Sequence, residues 1–291
     1  MSKMYIGIDV GGTNIRVALF DNLCNPQILQ LNSFLMQNNY NEDIFNIVTA
    51  IDSFKIKDIK SIGIGLPGVI DQSNLFLKRC AKINSWENRT TAEDLSTRYR
   101  CPVYIQNDAL VAALGELEYG YGKNLKGKDL DFIFVVWGTG IGGTHIKVRD
   151  GLAFLSPMEL GHTIIKLGGN MCRCGQRGCL QSYCAPIGIK DSKGISMEDL
   201  NETEWNSVIE HFAQGIVNLS TLNAVTTIIM GSSVSINNTE RVHKIFSLAK
   251  KESRLQDLKY DFSFLGNQTG IFGTMALISK IQKGGLCLGK N

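Results

Sequence analysis

Residues 5–14 read Tyr-Ile-Gly-Ile-Asp-Val-Gly-Gly-Thr-Asn, and residues 137–144 read Trp-Gly-Thr-Gly-Ile-Gly-Gly-Thr. Tyr5–Val10 is an apolar, β-branched run that reads as a buried strand, Gly11-Gly12 as a turn, and Ile15–Asp21 as a second strand. The later stretch repeats the order: Phe132–Trp137 is a strand, the glycines turn, and Thr144–Val148 is the return strand. A strand that doubles back through a tight turn is not the start of a βαβ unit. A dinucleotide fold needs a helix and a G-x-G-x-x-G at this place, and neither is present. The two stretches form a weak internal repeat of two α/β lobes, each with a phosphate-sized hairpin. Glycine permits positive φ and lets a backbone approach an anion closely.

The elements between these landmarks fit an α/β chain. Ile28–Phe34 reads as a third strand. Glu42–Phe54 carries Ile44, Ile47, Val48 and Ile51 at helical spacing. Ser61–Leu66 is a strand ending at Pro67-Gly68. Thr91–Arg100 reads as a helix with Thr91 at its N-cap. Val103–Gln106 is a short strand, Asp108 opens the helix Ala109–Glu118, and Gly120–Lys128 is a loop. In the second half, Glu204–Leu222, Thr239–Arg254 and Gly270–Ile281 read as helices and Thr226–Met230 as a strand. Residues 167–184 are irregular, and the tail from Gly284 to Asn291 is expected to fray.

The chain has 291 residues, with 30 basic against 27 acidic side chains. That balance excludes the basic footprint of a nucleic-acid binder. No apolar run reaches ~18 residues, so no membrane-spanning helix is expected. The N-terminal apolar run breaks at Asp9 and is not a signal peptide. A cytoplasmic location follows as the expectation.

Three motifs carry chemistry. In the first hairpin Thr13 adds a hydroxyl donor, and Asp9 at the strand end is placed to hold a hydrated Mg²⁺. Asn107-Asp108 lies after a strand and before a helix, where Asp108 reads either as a plain N-cap or as a general base of the kind phosphoryl transfer requires. The third is His162 with Cys172-Arg-Cys174-Gly-Gln-Arg-Gly-Cys179. A cytosolic chain of this length does not build a disulfide framework. One imidazole and three thiolates instead make the closed tetrahedral set of a structural zinc, with glycines at the tight turns.

Together these stretches resemble the ROK family of sugar kinases, over nearly the whole chain from Ile6 to about Ile281. The resemblance rests on Gly-Ile-Asp-Val-Gly-Gly-Thr-Asn-Ile-Arg near the N-terminus, Gly65–Asp71, Ile105–Ala109, the Trp137–Gly143 hairpin, Met158–His162, Cys172–Gln181, Ile229–Val234 and Gly270–Ala276. It implies a two-lobed actin/hexokinase-like, ribonuclease H-like fold with an interlobe cleft and a zinc knuckle over 162–179. The first lobe would span 1–106, completed by the helix 270–282, and the second 107–269. A homodimer is expected.

The resemblance also implies roles. Asp108 would be the base of an ATP-dependent hexose phosphorylation at the 6-hydroxyl, with Mg²⁺ at the phosphates. Gly68, Asn107, Glu159, His162 and Gln181 would line the sugar, His162 also serving the zinc. Asp9, Gly11, Gly12, Thr13, Asn14, Gly138, Thr139 and Gly140 would cradle the phosphates, and Gly231 would lie near adenosine. The chain departs from the family pattern at Gln181, normally a sugar-binding Glu, at Ser156-Pro157-Met158, at the shortened Asn84-Ser85-Trp86, and at Ser232-Ser233, normally glycines. Glucose, allose and N-acetylmannosamine remain equal candidates as substrate. The alternatives are a sugar-responsive repressor, for which no DNA-binding segment fits ahead of Tyr5, and a catalytically silent sugar sensor.

Overall fold

The computed structural model describes residues 4–71, 76–80, 82–125, 127–254, 257–284 and 286–288. Two compact units emerge: Met1–Lys126 with Gln268–Cys287, and Gly127–Asn267 with Leu288–Asn291.

The first unit begins with β1 (Met4–Val10), β2 (Asn14–Phe20), β3 (Ile28–Leu35), α1 (Tyr40–Ser53) and β4 (Ile59–Leu66). A small ribbon, β5 (Val69–Asp71) and β6 (Phe76–Arg79), precedes α2 (Thr91–Tyr99), β7 (Val103–Asn107) and α3 (Asp108–Glu118). The sheet order is β3-β2-β1-β4-β7. β1 pairs antiparallel with β2, from Tyr5 opposite Phe20 to Val10 opposite Ile15, and parallel with β4. β1 is therefore paired on both edges, and it is packed on both faces: Ile6, Ile8 and Val10 are fully buried in a core with Ile47 and Ile51, and Tyr5 packs with Ile271 and Met275 of the last helix. That is why its sequence is a near-continuous apolar run rather than an alternating one.

The second unit holds β8 (Leu130–Trp137), β9 (Ile141–Arg149), β10 (Leu152–Met158), α4 (Gln181–Cys184), α5 (Pro186–Lys193) and α6 (Glu202–Asn223). It continues with β11 (Thr227–Gly231), α7 (Ser233–Asn237), α8 (Thr239–Glu252) and β12 (Lys259–Phe262). Its strands lie in the order β12-β11-β8-β9-β10, with β8 antiparallel to β9 and parallel to β11. Phe212, Trp137, Phe246 and Ile216 anchor its core.

The last helix, α9 (Thr269–Gln282), belongs to the first unit. It lies so close to the sheet that a Cβ on Gly7 would stand 2.3 Å from Thr274 Oγ1 and one on Gly63 2.6 Å from the Thr274 carbonyl. It meets α3 backbone to backbone: a Cβ on Gly115 would stand 2.6 Å from the Thr269 carbonyl, and one on Gly273 1.9 Å from that of Val111. This contact keeps α3 in the first unit, so the division falls after Lys126 rather than at the 106/107 boundary read from sequence.

Several local expectations differ from the structure. Thr91 does not cap α2. Thr90 holds that position, while Thr91 is buried and its hydroxyl donates to Tyr40 Oη at 3.2 Å. Residues 121–125 in the expected loop form a 3₁₀ turn, whose Tyr121 amide donates to the buried Glu116 carboxylate. Strand β10 escaped the sequence reading because Pro157 lies within it and because Leu152 and Phe154 on its exposed face are apolar, which removes the alternation. Leu286–Leu288 forms a short strand, β13, where fraying was expected, and residues 285 and 289–291 of that tail lie outside the described residues. Among the described residues no helix is long and apolar enough to cross a membrane.

Candidate active site

In the first unit the β1–β2 turn is closed by the Gly11 amide donating to the Asn14 carbonyl at 2.8 Å. Gly12, Thr13 and Asn14 are exposed. Positive φ, the expected reason for these glycines, is not used: neither Gly11 and Gly12 nor Gly138 and Gly140 have it. Close approach, the other expected reason, applies at Gly11 and at Gly138, where a Cβ would stand 2.7 Å from Ser232 Oγ. A Cβ on Gly11 would stand 3.1 Å from the Asn14 carbonyl oxygen.

Asp9 ends β1 opposite Arg16. Burial pushes its carboxyl up to about 6, the Arg16 charge opposes the shift, and the charge of Asp108 adds to it. A Cβ on Gly270, at the start of α9, would stand 2.6 Å from Asp9 Oδ2. Two carboxylates that repel each other in a partly buried setting fit a divalent cation, which would relieve both the burial cost and the repulsion.

At the start of α3 it is Asn107, not Asp108, that holds the N-cap position. Its side-chain carbonyl accepts the Ala109 and Leu110 amides at 3.1 and 3.2 Å, so Asn107 is the N-cap of α3. Its amide donates to the Gly68 carbonyl at 2.9 Å. Gly68 has φ +100°, and a Cβ there would stand 2.4 Å from the Arg79 carbonyl oxygen, so only glycine fits the turn. Asn107 thus ties the Pro67-Gly68 turn to the start of α3. Asp108, the first residue of α3, is half-buried and accepts the Ala109 amide at 2.8 Å.

In the second unit the β8–β9 hairpin turns with the Gly138 amide donating to the Gly140 carbonyl at 3.0 Å. Three bonds hold this turn from the segment after the cysteines. The Trp137 indole donates to the Cys184 carbonyl at 2.8 Å, the Ile187 amide to the Thr139 carbonyl at 3.3 Å, and the Ile141 amide to Gln181 Oε1 at 3.1 Å. Gln181 is buried, with its side-chain carbonyl spent on the hairpin. The sequence offered no sign of this, nor of the bracing by Trp137 and Ile187, since none of these pairs is near in the chain. Gly231, at the end of β11, is glycine because a Cβ would stand 2.5 Å from Phe134 Cζ.

The ligand atoms of His162, Cys172, Cys174 and Cys179 all lie within 4.8 Å of one another. Cys172 Sγ is 3.5 Å from His162 Nδ1, and Cys174 Sγ is 3.7 Å from Cys179 Sγ. A tetrahedral ion with metal–sulfur bonds of about 2.3 Å and a metal–nitrogen bond of about 2.0 Å sets S···S near ~3.8 Å and S···N near ~3.5 Å, so the set fits an ion of that size. Gly175 and Gly178 have φ +92° and +83° and turn the loop between ligands. With Nδ1 toward the thiolates, His162 Nε2 faces Glu159 Oε2 at 3.9 Å. The Glu159 side chain is 86% exposed, which leaves it open to a ligand as well.

Comparisons with known proteins agree with this layout. The model of the ROK family matches residues 5–281. A glucokinase from Halalkalibacterium halodurans is 26% identical over 93% of this chain and 93% of its own. A xylose repressor from Caldicellulosiruptor bescii is 25% identical over 76% of this chain and 63% of its own. The crystal structure of a glucokinase from Streptomyces griseus in complex with glucose and AMPPNP shares the fold, with a TM-score of 0.75 and 22% identity over 94% of this chain and 98% of that one.

Proposed function

Because this chain belongs to the ROK family, we propose that it is an ATP-dependent sugar kinase that transfers the γ-phosphoryl group to the 6-hydroxyl of a hexose. The reading is supported by the family match, by the glucokinase relative, and by both glycine hairpins. The observation that carries it is the division of labour at residues 107 and 108: Asn107 performs the capping, so an N-cap role does not account for the carboxylate of Asp108.

In this reading Asp108 accepts the proton of the attacking hydroxyl as the oxygen–phosphorus bond forms and the bond to the ADP leaving oxygen breaks. Asn107 and Gly68 shape the sugar side of the first unit, and Glu159 and His162 that of the second. The backbone amides of Gly11–Asn14 and Gly138–Gly140 bind phosphate oxygens. Asp9 would hold a Mg²⁺, which would supply charge neutralisation at the phosphates. His162, Cys172, Cys174 and Cys179 would hold a structural zinc, which would fix the loop that leads into α4 and the orientation of His162. Gln181 acts on the hairpin rather than on the sugar.

A coupled ADP-release assay over glucose, allose, mannose, N-acetylmannosamine and fructose tests the proposal. Sugar-dependent ADP release at enzymatic rates is the expected result. Sugar binding without turnover on any of them would assign the chain instead to the silent sugar sensors, a reading favoured by Gln181 in place of a sugar-binding carboxylate and by the xylose repressor among its relatives.

A further inference from the structure

The loop after β11 carries a backbone that serine rarely takes. Ser232 lies at φ +77°, ψ 170°, a region that a Cβ disfavours and glycine occupies freely. The conformation is held from several directions. Ser235 Oγ donates to the Gly231 carbonyl at 2.7 Å and to the Ser232 carbonyl at 2.9 Å. The Ile236 amide donates to the Ser232 carbonyl at 3.2 Å. Gly231 is pressed against Phe134, so the strand end has no room to shift. A glycine at 232 would adopt the same path without strain, and glycine is the residue of the ROK motif at this place.

The strain brings a hydroxyl to a specific location. An atom at the Cβ position of Gly138 would lie 2.7 Å from Ser232 Oγ. The hydroxyl therefore stands against the first glycine of the β8–β9 turn. β8 and β11 are parallel neighbours, with Gly231 beside Val136. Both loops leave the carboxyl ends of adjacent parallel strands, which is where α/β sheets bind ligands. Ser232 is half-buried, and its hydroxyl makes no hydrogen bond among the described residues.

We propose that the Ser232 hydroxyl donates a hydrogen bond to a phosphate oxygen of the nucleotide held at the Gly138–Gly140 turn, making Ser232 a determinant of nucleotide affinity. The inference rests on the kinase reading and adds to it a side-chain donor where the ROK motif has only backbone. Strain retained beside a ligand loop is the arrangement expected when the side chain has a task there.

Isothermal titration with Mg–AMPPNP, together with the melting temperature, tests the parent, Ser232→Gly and Ser232→Ala. Both variants are expected to bind AMPPNP about tenfold more weakly, the loss of one hydrogen bond to a charged group. Ser232→Gly is expected to melt above the parent because the strain is gone, whereas Ser232→Ala is not. Parent-like affinity in Ser232→Gly overturns the proposal, as does weakening in Ser232→Gly but not Ser232→Ala, which assigns the loss to loop flexibility. A parent that binds no AMPPNP overturns the kinase reading itself. A parent that binds it, with both variants unchanged, overturns only the role of Ser232.

Discussion

The side-chain carbonyl of Gln181 accepts the backbone N–H of Ile141 at 3.1 Å, across 40 residues of sequence. Ile141 is the residue at which the glycine hairpin re-enters the sheet, and Gln181 follows Cys179 by two positions at the start of α4. The segment that follows the cysteine cluster is therefore tied to the glycine hairpin by a side chain, beside the Trp137–Cys184 and Ile187–Thr139 bonds.

Gln181→Leu removes the acceptor and leaves the Ile141 N–H unpaired in a buried place, at a cost of about 1–3 kcal/mol. The expected result is a lower melting temperature and a raised KM for ATP. Gln181→Glu keeps an acceptor for the same N–H and is expected to be milder on both counts. Steady-state kinetics with varied ATP at saturating sugar distinguish the two. Equal behaviour of the Leu and Glu variants would remove the hairpin role.

Asp108→Asn is expected to lower turnover by roughly 10²–10⁴-fold through loss of the base, with little change in melting temperature because Asn107 remains the cap. Asn107→Ala should do the reverse in emphasis. It removes the N-cap, at about 1 kcal/mol, together with the bond to Gly68. Thermal melts and turnover measured on both variants check the contrast, and an Asp108→Asn protein with near-parent turnover would refute the assignment of the base.

Asp9 gives the first unit a signed pH dependence. Its carboxyl is raised from 3.8 to about 6 chiefly by burial, so between these values the folded state binds more protons than the unfolded state. Stability from this group is present below the unfolded value and is lost as pH rises through about 6. The loss is on the order of 2 kcal/mol, after allowing for partial solvent access. Urea unfolding without added Mg²⁺ is expected to show the decline in the parent between pH 4 and ~6.5, and a flatter profile in Asp9→Asn. Parallel profiles for the two proteins would contradict it.

Elemental analysis is expected to return about one zinc per chain, since four ligands fill one tetrahedral site. Cys174→Ser, which removes the exposed ligand and disturbs packing least, should lower zinc content and melting temperature together. Metal-free protein with an unchanged melting temperature would argue against a structural ion.

By itself the sequence determined the strand–turn–strand repeats at Gly11-Gly12 and Gly138–Gly140, though the return strand begins at Ile141 rather than Thr144, the order of the major helices, and the His162–Cys179 ligand set. These features are local. A buried strand announces itself by consecutive apolar residues, a turn by glycine, and a metal site by ligands a few positions apart, and each can be read without knowing what packs against it. Tertiary structure alone decided the rest, because the remaining assignments depend on partners distant in the chain. Asn107 rather than Asp108 caps α3, and nothing in an Asn-Asp pair says which side chain turns back to the helix. Gly7 and Gly63 are glycines because α9, more than 200 residues on, lies against them. Gln181, expected at the sugar, has its side-chain carbonyl on the Ile141 amide of the hairpin. Ser232 looked like a lost glycine, and its hydroxyl stands at Gly138. In each case the residue type fixed what the side chain was able to do, and the fold fixed which neighbour it did it to.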